Sequence, residues 1–329
     1  MFPVIDLHCD LLSFLAESPL RTIDDPLSKA SYPQMKQGGV SLQALAIFTK
    51  STKGSLAEGN KQIQVFLDLL KNQPTRYQLW EPKNPVTITS PISIVPAFEN
   101  AYGFAEDGEP IEKGLAHLDN LLRILKRILY ISLTWDGENR FGGGNGSKKG
   151  LKEDGMRILE WMSEKKIAID LSHTSDFLAD DIFNYMNKKS LQIPVMASHS
   201  NARAVTNKER NLPDSIIKEI FKRKGLIGLN LFSPFVGKEA KEIVSHVAHF
   251  LDLGGENNLC FGADFFPELD FAYLKNKYQI TSCFFPELAD ASCYGKTLAL
   301  IQKTLSLHEK QIEKISHKNF ENAMGALYL

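Results

Sequence analysis

The chain has 329 residues, 43% of them hydrophobic, with 38 basic against 39 acidic side chains. That apolar share is enough for a sizeable core. The flat charge balance leaves no basic excess of the kind that nucleic acid or an anionic membrane surface attracts, so neither partner is expected.

Met1 leads directly into an apolar run, with no basic region, long apolar stretch or small-residue cleavage site. No segment approaches the roughly 18 apolar residues of a membrane span. Cys9, Cys260, Cys283 and Cys293 form no C-x-x-C pair and fit a reducing compartment. The expectation is a cytoplasmic protein with no membrane association.

Eight short runs rich in Val, Ile and Leu follow one another, over 4–9, 41–48, 92–98, 129–134, 167–171, 194–197, 226–229 and 259–263. Strands of a parallel sheet covered on both faces look like this. Helical spacing lies between them, at Ile63, Phe66, Leu67 and Leu70, and again at Leu115, Leu118, Leu122 and Leu125. Further helices are expected over 156–163, 177–186, 214–223, 240–253, 296–306 and 309–327, with Gly225 and Gly254 as stops. Strand-helix alternation repeated eight times predicts a single α/β domain over 1–329, a closed (β/α)8 TIM barrel, with an open doubly wound sheet as the alternative. The glycine- and lysine-rich stretch 136–150 lacks G-x-x-x-x-G-K-[ST] and is expected to be a mobile loop near the barrel mouth.

Ionisable residues recur at the C-terminal ends of these runs, where barrel active sites are built. The first run ends Asp6-Leu7-His8-Cys9-Asp10, and strand alternation would turn His8 and Asp10 to one side. The third ends at Glu99, the fifth reaches His173, the sixth His199 and the eighth Asp264. Each alone has a plainer role: a hydrogen-bonded core histidine, a helix-capping glutamate, a turn aspartate. As a set at the ends of five strands they point to a metal centre. Imidazole and carboxylate suit zinc and similar divalent ions. Three histidines and two carboxylates exceed the needs of one tetrahedral ion, so two divalent ions sharing Glu99, with Zn2+ expected, is the natural reading. Such ions would hold a bridging water as hydroxide at neutral pH. His246 and His249, spaced i and i+3, lack the glutamate of H-E-x-x-H and read as surface or packing residues.

These residues, in this order, resemble the membrane dipeptidase (renal dipeptidase) family of the amidohydrolase superfamily, over about residues 5–319. The matching pieces are Asp6-Leu7-His8-Cys9-Asp10, Gly38-Gly39-Val40-Ser41-Leu42-Gln43, Leu133-Thr134-Trp135 and Ile169-Asp170-Leu171-Ser172-His173. They continue with Ser198-His199-Ser200-Asn201-Ala202-Arg203, Arg210-Asn211-Leu212-Pro213-Asp214, Gly262-Ala263-Asp264-Phe265 and Asn319-Phe320. The resemblance implies a metallo-dependent hydrolase barrel and a zinc-dependent dipeptidase. His8 and Asp10 would bind the first metal, His173 and His199 the second, and Glu99 would bridge them. Asp264 would take a proton from the bridging hydroxide's parent water and pass it to the leaving amine. Arg210 would hold the dipeptide's free carboxylate, a task its planar fork suits. Dipeptides with a C-terminal D-residue and a homodimeric state are implied too.

Two departures stand out. Trp135 occupies the place of a histidine in the vertebrate enzymes. Its indole donates one hydrogen bond but carries no charge, so it is expected to touch substrate and leave the oxyanion to the metals. The family's Asp-Phe-Asp-Gly is here Asp264-Phe265-Phe266-Pro267, which reshapes that loop. The alternative reading keeps the binuclear site but gives it another small amide, an N-acyl amino acid or a lactone. A non-catalytic binding barrel is a third.

Overall fold

The computed structural model describes residues 2–84, 87–88, 91–163 and 165–328. Among them nine strands form one parallel sheet: β1 (Val4–Cys9), β2 (Val40–Phe48), β3 (Tyr77–Leu79), β4 (Ile92–Glu99), β5 (Tyr130–Ser132), β6 (Ala168–Asp170), β7 (Val195–Ala197), β8 (Leu226–Leu229) and β9 (Leu259–Phe261). Neighbours run β2-β1-β9-β8-β7-β6-β5-β4, and β2 pairs with β4 from Leu42↔Ser93 to Phe48↔Glu99. That last pairing closes an eight-stranded barrel and rules out the open sheet. The ninth strand, β3, lies outside the closure. It pairs with the first half of β4 (Tyr77↔Ile92, Leu79↔Ile94), and β5 takes over further along (Phe98↔Ile131). Its three residues hold one buried side chain, Tyr77, beside an exposed Gln78, so no apolar run announces it.

Helices Ser55–Asn72, Ile111–Leu125, Glu153–Met162, Asp176–Lys189, Asp214–Lys222, Ile243–Asp252 and Tyr294–Leu305 fall where the spacing puts them. Each buries one stripe against the sheet; in Ile111–Leu125 the stripe is Gly114, Leu118, Leu121 and Leu125. In Asp176–Lys189 the chain start is fixed by Ser175, whose hydroxyl accepts from Leu178 N at 3.1 Å. Leu11–Glu17, Tyr32–Gln37, Ser233–Val236 and Tyr273–Tyr278 are too short to display a period and were not expected.

The single helix expected over 309–327 is three segments, Glu309–Glu313, the π-helical Lys314–Lys318 and Asn319–Tyr328. The last brings Phe320 and Met324 into the barrel interior beside Ile5, Leu42, Ala97 and Met196. Asn319 Nδ2 locks them there, donating to the carbonyls of Leu259 (2.9 Å) and Glu256 (3.0 Å). Burying a phenylalanine is worth about 1.5–3 kcal/mol. The plug fills the end of the barrel where the strands begin, leaving chemistry to the other end.

At that other end the 136–150 stretch is corrected from a mobile loop to a built part of the mouth. Asn139 Nδ2 donates to Leu133 O (2.9 Å) and Asn100 Oδ1 (3.0 Å), and Gly144 bridges to Thr174. Its asparagines supply the partners that a solvated loop would take from water.

Candidate metal centre

The expected ligands converge at the mouth. Donor atoms of His8, Asp10 and Glu99 lie within 4.8 Å of one another, as do those of Glu99, His173 and His199, and those of His8, His199 and Asp264. Glu99 belongs to the first two groups. Its Oε1 is 2.9 Å from His173 Nε2 and 3.6 Å from His199 Nε2, while Oε2 is 3.4 Å from His8 Nε2.

The backbone reaches this arrangement by turns more than by strands. The β1–β2 register slips between Asp6 and Cys9, at His8, and Asp10 lies past the strand, capping Leu11–Glu17 with φ −95° and ψ 29°. Simple alternation therefore does not bring His8 and Asp10 together; an irregularity next to the site does. His173, His199 and Asp264 also lie beyond β6, β7 and β9, which end at Asp170, Ala197 and Phe261. His173 (φ 65°) and Asp264 (φ 63°) adopt the left-handed conformation, at a cost of order 1–3 kcal/mol that marks functional turns.

Each imidazole is oriented from behind. His8 Nδ1 is 2.7 Å from the Tyr130 hydroxyl, which donates its proton to Leu7 O at 3.1 Å. The phenol oxygen must then accept from Nδ1–H, which leaves Nε2 as the nitrogen turned toward the site. His199 Nδ1 is 2.6 Å from Ser198 Oγ, which donates to Asp170 Oδ2 at 2.7 Å. His173 Nδ1 is 3.4 Å from Asp136 Oδ1, and the other oxygen of Asp136 takes Lys277 Nζ at 2.7 Å. Asp170 also accepts from Ser132 Oγ (2.6 Å), Ser172 N (3.1 Å) and Ser198 N (2.7 Å), pinning together the ends of β5, β6 and β7.

A cavity of about 310 Å³ opens above the cluster, with Asp10, Glu99, His173 and Asp264 in its floor. Asp264 Oδ2 accepts from Asn230 Nδ2 at 3.0 Å; Oδ1 is 3.6 Å from His8 Nε2. Arg210, 6% exposed, lines the cavity. It donates to Ser200 Oγ (2.9 Å) and His199 O (3.1 Å), stands 5.6 Å over the Phe235 ring, and has no partner for Nε. Trp135 is in the wall, 5.1 Å from Phe48 and 6.1 Å from His173 between ring centroids. His246 and His249 are packing residues: His246 bonds Ala202 N and Val236 O, and His249 bonds Asp214.

The model of the membrane dipeptidase family, peptidase family M19, matches residues 1–327. The chain belongs to this family. Among solved structures, a metallo peptidase from Rhodobacter sphaeroides, liganded with a phosphinate mimic of the dipeptide L-Ala-D-Ala, matches with a TM-score of 0.79 at 21% identity over 98% of both chains. An uncharacterized protein of Klebsiella pneumoniae is 26% identical over 190 residues, 53% of this chain and 65% of that one. An uncharacterized dipeptidase of Schizosaccharomyces pombe is 25% identical over 170 residues, 46% and 40% respectively. The chain thus spans less than two thirds of these curated relatives.

Membrane dipeptidases are metallopeptidases, and the residues here fit a metal. Nε2 of His8, Nε2 of His199 and Oδ1 of Asp10 are buried with no hydrogen-bond partner. An unsatisfied buried polar atom costs about 1–3 kcal/mol, and three in one cluster are explained by bound cations. The charges agree. Burial and the Glu99 charge hold Asp10 well above the ordinary carboxylate range, and burial also raises Asp264. Burial opposes ionisation of Glu99, but His8, His173 and His199 outweigh it and keep the carboxyl well below its usual range. Burial works against charge on His8 too; Glu99 overcomes it and lifts the imidazole to about 10. Burial and the charge on His8 push His199 well below the usual range. The pocket draws in positive charge, and a divalent cation supplies it through nitrogen and oxygen donors that suit it.

The residues behind the imidazoles are the ones that sequence reasoning missed as functional. Tyr130 sits in an apolar run and gives no signal. Asp170 and Ser198 are polar residues at strand ends, a signal that was present. Asp136 was absorbed into the loop, and Asn230 and Ser200 follow strand ends without being charged.

Proposed function

We propose that this family member is a metal-dependent dipeptidase using two divalent ions, Zn2+ by preference. One would be held by His8, Asp10 and Glu99 and the other by Glu99, His173 and His199. The observation that carries the reading is the two-sided Glu99, with one oxygen toward His8 (3.4 Å) and the other toward His173 (2.9 Å) and His199 (3.6 Å). Ions so held supply Lewis acidity toward a peptide carbonyl and toward water.

The protein's own groups do the rest. Arg210 offers its free N–H groups to the dipeptide carboxylate, fixing the substrate's direction in the cavity. Asp264 is anchored through Oδ2 by Asn230, which leaves Oδ1 to take a proton from the attacking water. When the C–N bond breaks, the same oxygen returns that proton to the departing amine nitrogen. Trp135 contributes wall and one N–H donor. Dipeptides with a D-residue on the carboxylate side are included in the proposal, supported by the L-Ala-D-Ala mimic bound to the Rhodobacter sphaeroides relative. A single catalytic domain over 1–329, a homodimeric state and a cytoplasmic location belong to the proposal as well. All four cysteines are free, and no described helix is long and apolar enough to cross a membrane.

The test is a panel of L,L and L,D dipeptides incubated with purified protein before and after chelation. Turnover that chelator abolishes and added Zn2+ restores is expected. Protein that retains its ions yet leaves every dipeptide intact contradicts the substrate assignment.

A further inference from the structure

The cavity floor is charged, but its wall is aromatic. Starting beside His173, Trp135 meets Phe48 at 5.1 Å, Phe48 meets Phe271 at 5.7 Å, and Phe271 meets Phe266 at 5.0 Å. From Phe266 the contacts continue to Phe232 (5.6 Å) and on to Phe235 (4.8 Å), whose face carries Arg210 at 5.6 Å. Tyr278 closes the end, 5.4 Å from Phe232 and 5.7 Å from Phe235. All seven rings line the cavity. An unbroken aromatic surface therefore joins the candidate metal ligands to the candidate carboxylate anchor.

The charges beside this wall are paired or solvated. Asp136 and Lys277 are paired at 2.7 Å, and Lys208 and Glu209, which line the same cavity, are exposed. Phe266 packs against Phe271, Phe232 and Phe284, so the loop after β9 presents a ring to the cavity.

We propose that this arc makes the site selective for dipeptides with bulky apolar side chains, with Phe266 and Phe271 as specificity-determining residues. The inference rests on the dipeptidase reading. A substrate with its carboxylate on Arg210 and its peptide bond over Glu99 and Asp264 lies along the arc. Its side chains then meet rings that reward apolar burial and offer a carboxylate no partner.

Binding is read separately from turnover. Calorimetry on metal-loaded Asp264→Asn protein should find Leu-Leu binding at least about tenfold more tightly than Ala-Ala, with Glu-Glu weaker than both. Phe271→Ala should remove most of that advantage, the affinity for Leu-Leu falling by more than that for Ala-Ala. Phe266→Asp, which puts a carboxylate into the wall, should also narrow the gap; Phe271→Leu, which keeps the wall filled, guards against a variant that fails to fold and should retain part of it. Equal affinity for Leu-Leu and Ala-Ala, or an advantage that none of these substitutions alters, overturns the proposal. Wild-type turnover on the same panel tells the two readings apart. If no dipeptide is cleaved but the affinity order holds, the dipeptidase reading fails and the selectivity stands. Cleavage without the affinity order defeats the selectivity alone.

Discussion

Ser198 Oγ meets Nδ1 of His199, its sequence neighbour, at 2.6 Å while donating its own proton to Asp170 at 2.7 Å. The serine is held in place by an unusually close backbone. A Cβ on Gly228 or Gly262 would overlap the Ser198 carbonyl oxygen, so only glycine lets β8 and β9 approach it. Ser198→Ala should free the His199 ring to take either tautomer. Affinity for a divalent ion should fall by about 10–100-fold, read by competition with a chelator, with the near-UV circular dichroism unchanged. Undiminished affinity would show that the hydroxyl does not orient the ligand.

Asp264→Asn keeps the side-chain shape and the bond to Asn230 but removes the proton carrier. A drop in kcat of about 10²–10⁴-fold is expected, with metal content unaltered. Near-normal turnover would assign the proton transfer elsewhere.

Arg210→Lys keeps the charge and loses the fork. For dipeptides kcat/KM should fall by about 10–100-fold, chiefly through KM, whereas the corresponding dipeptide amides should be nearly unaffected. Matching losses on acid and amide would assign Arg210 to holding the backbone around His199 and Ser200.

A pH effect on stability comes from outside the metal centre. His246 accepts from Ala202 N (3.1 Å) and donates to Val236 O (2.9 Å), which uses both nitrogens of a neutral ring. Burial holds it neutral down to about 4, against 6.5 for a free imidazole. The unfolded chain therefore takes up the proton first. The contribution is complete above the unfolded value and is lost as pH falls from 6.5 toward 4. By about pH 5 it amounts to a loss of order 2 kcal/mol. Urea unfolding near neutral pH and near pH 5 should show this loss in the wild type and a smaller one in His246→Gln. Equal losses would place the sensitivity in other groups.

The barrel, and the side chains that converge at its mouth, were legible because both follow from position. Apolar runs such as 92–98 and 226–229 are long enough to reveal a buried strand, and a charged residue just past a run, as Glu99 is past 92–98, is conspicuous. What escaped was whatever depends on contacts between distant segments. Tyr77–Leu79 is a strand only because β4 offers it an edge, and Tyr130 is a positioning residue only because its hydroxyl reaches His8. His8 and Asp10 do lie together, but not through strand alternation alone, since the register slip and the turn are invisible in an H-x-D pattern. The aromatic wall escaped as well, because its rings are scattered from Phe48 to Tyr278.

The most direct measurement is a calorimetric titration of chelator-stripped protein with Zn2+, repeated on Glu99→Ala. The geometry predicts two sites per chain in the wild type, and weakening of both in the variant, because one carboxylate faces both ligand sets. A single wild-type site, or two that survive the loss of Glu99 at full strength, would contradict the shared centre.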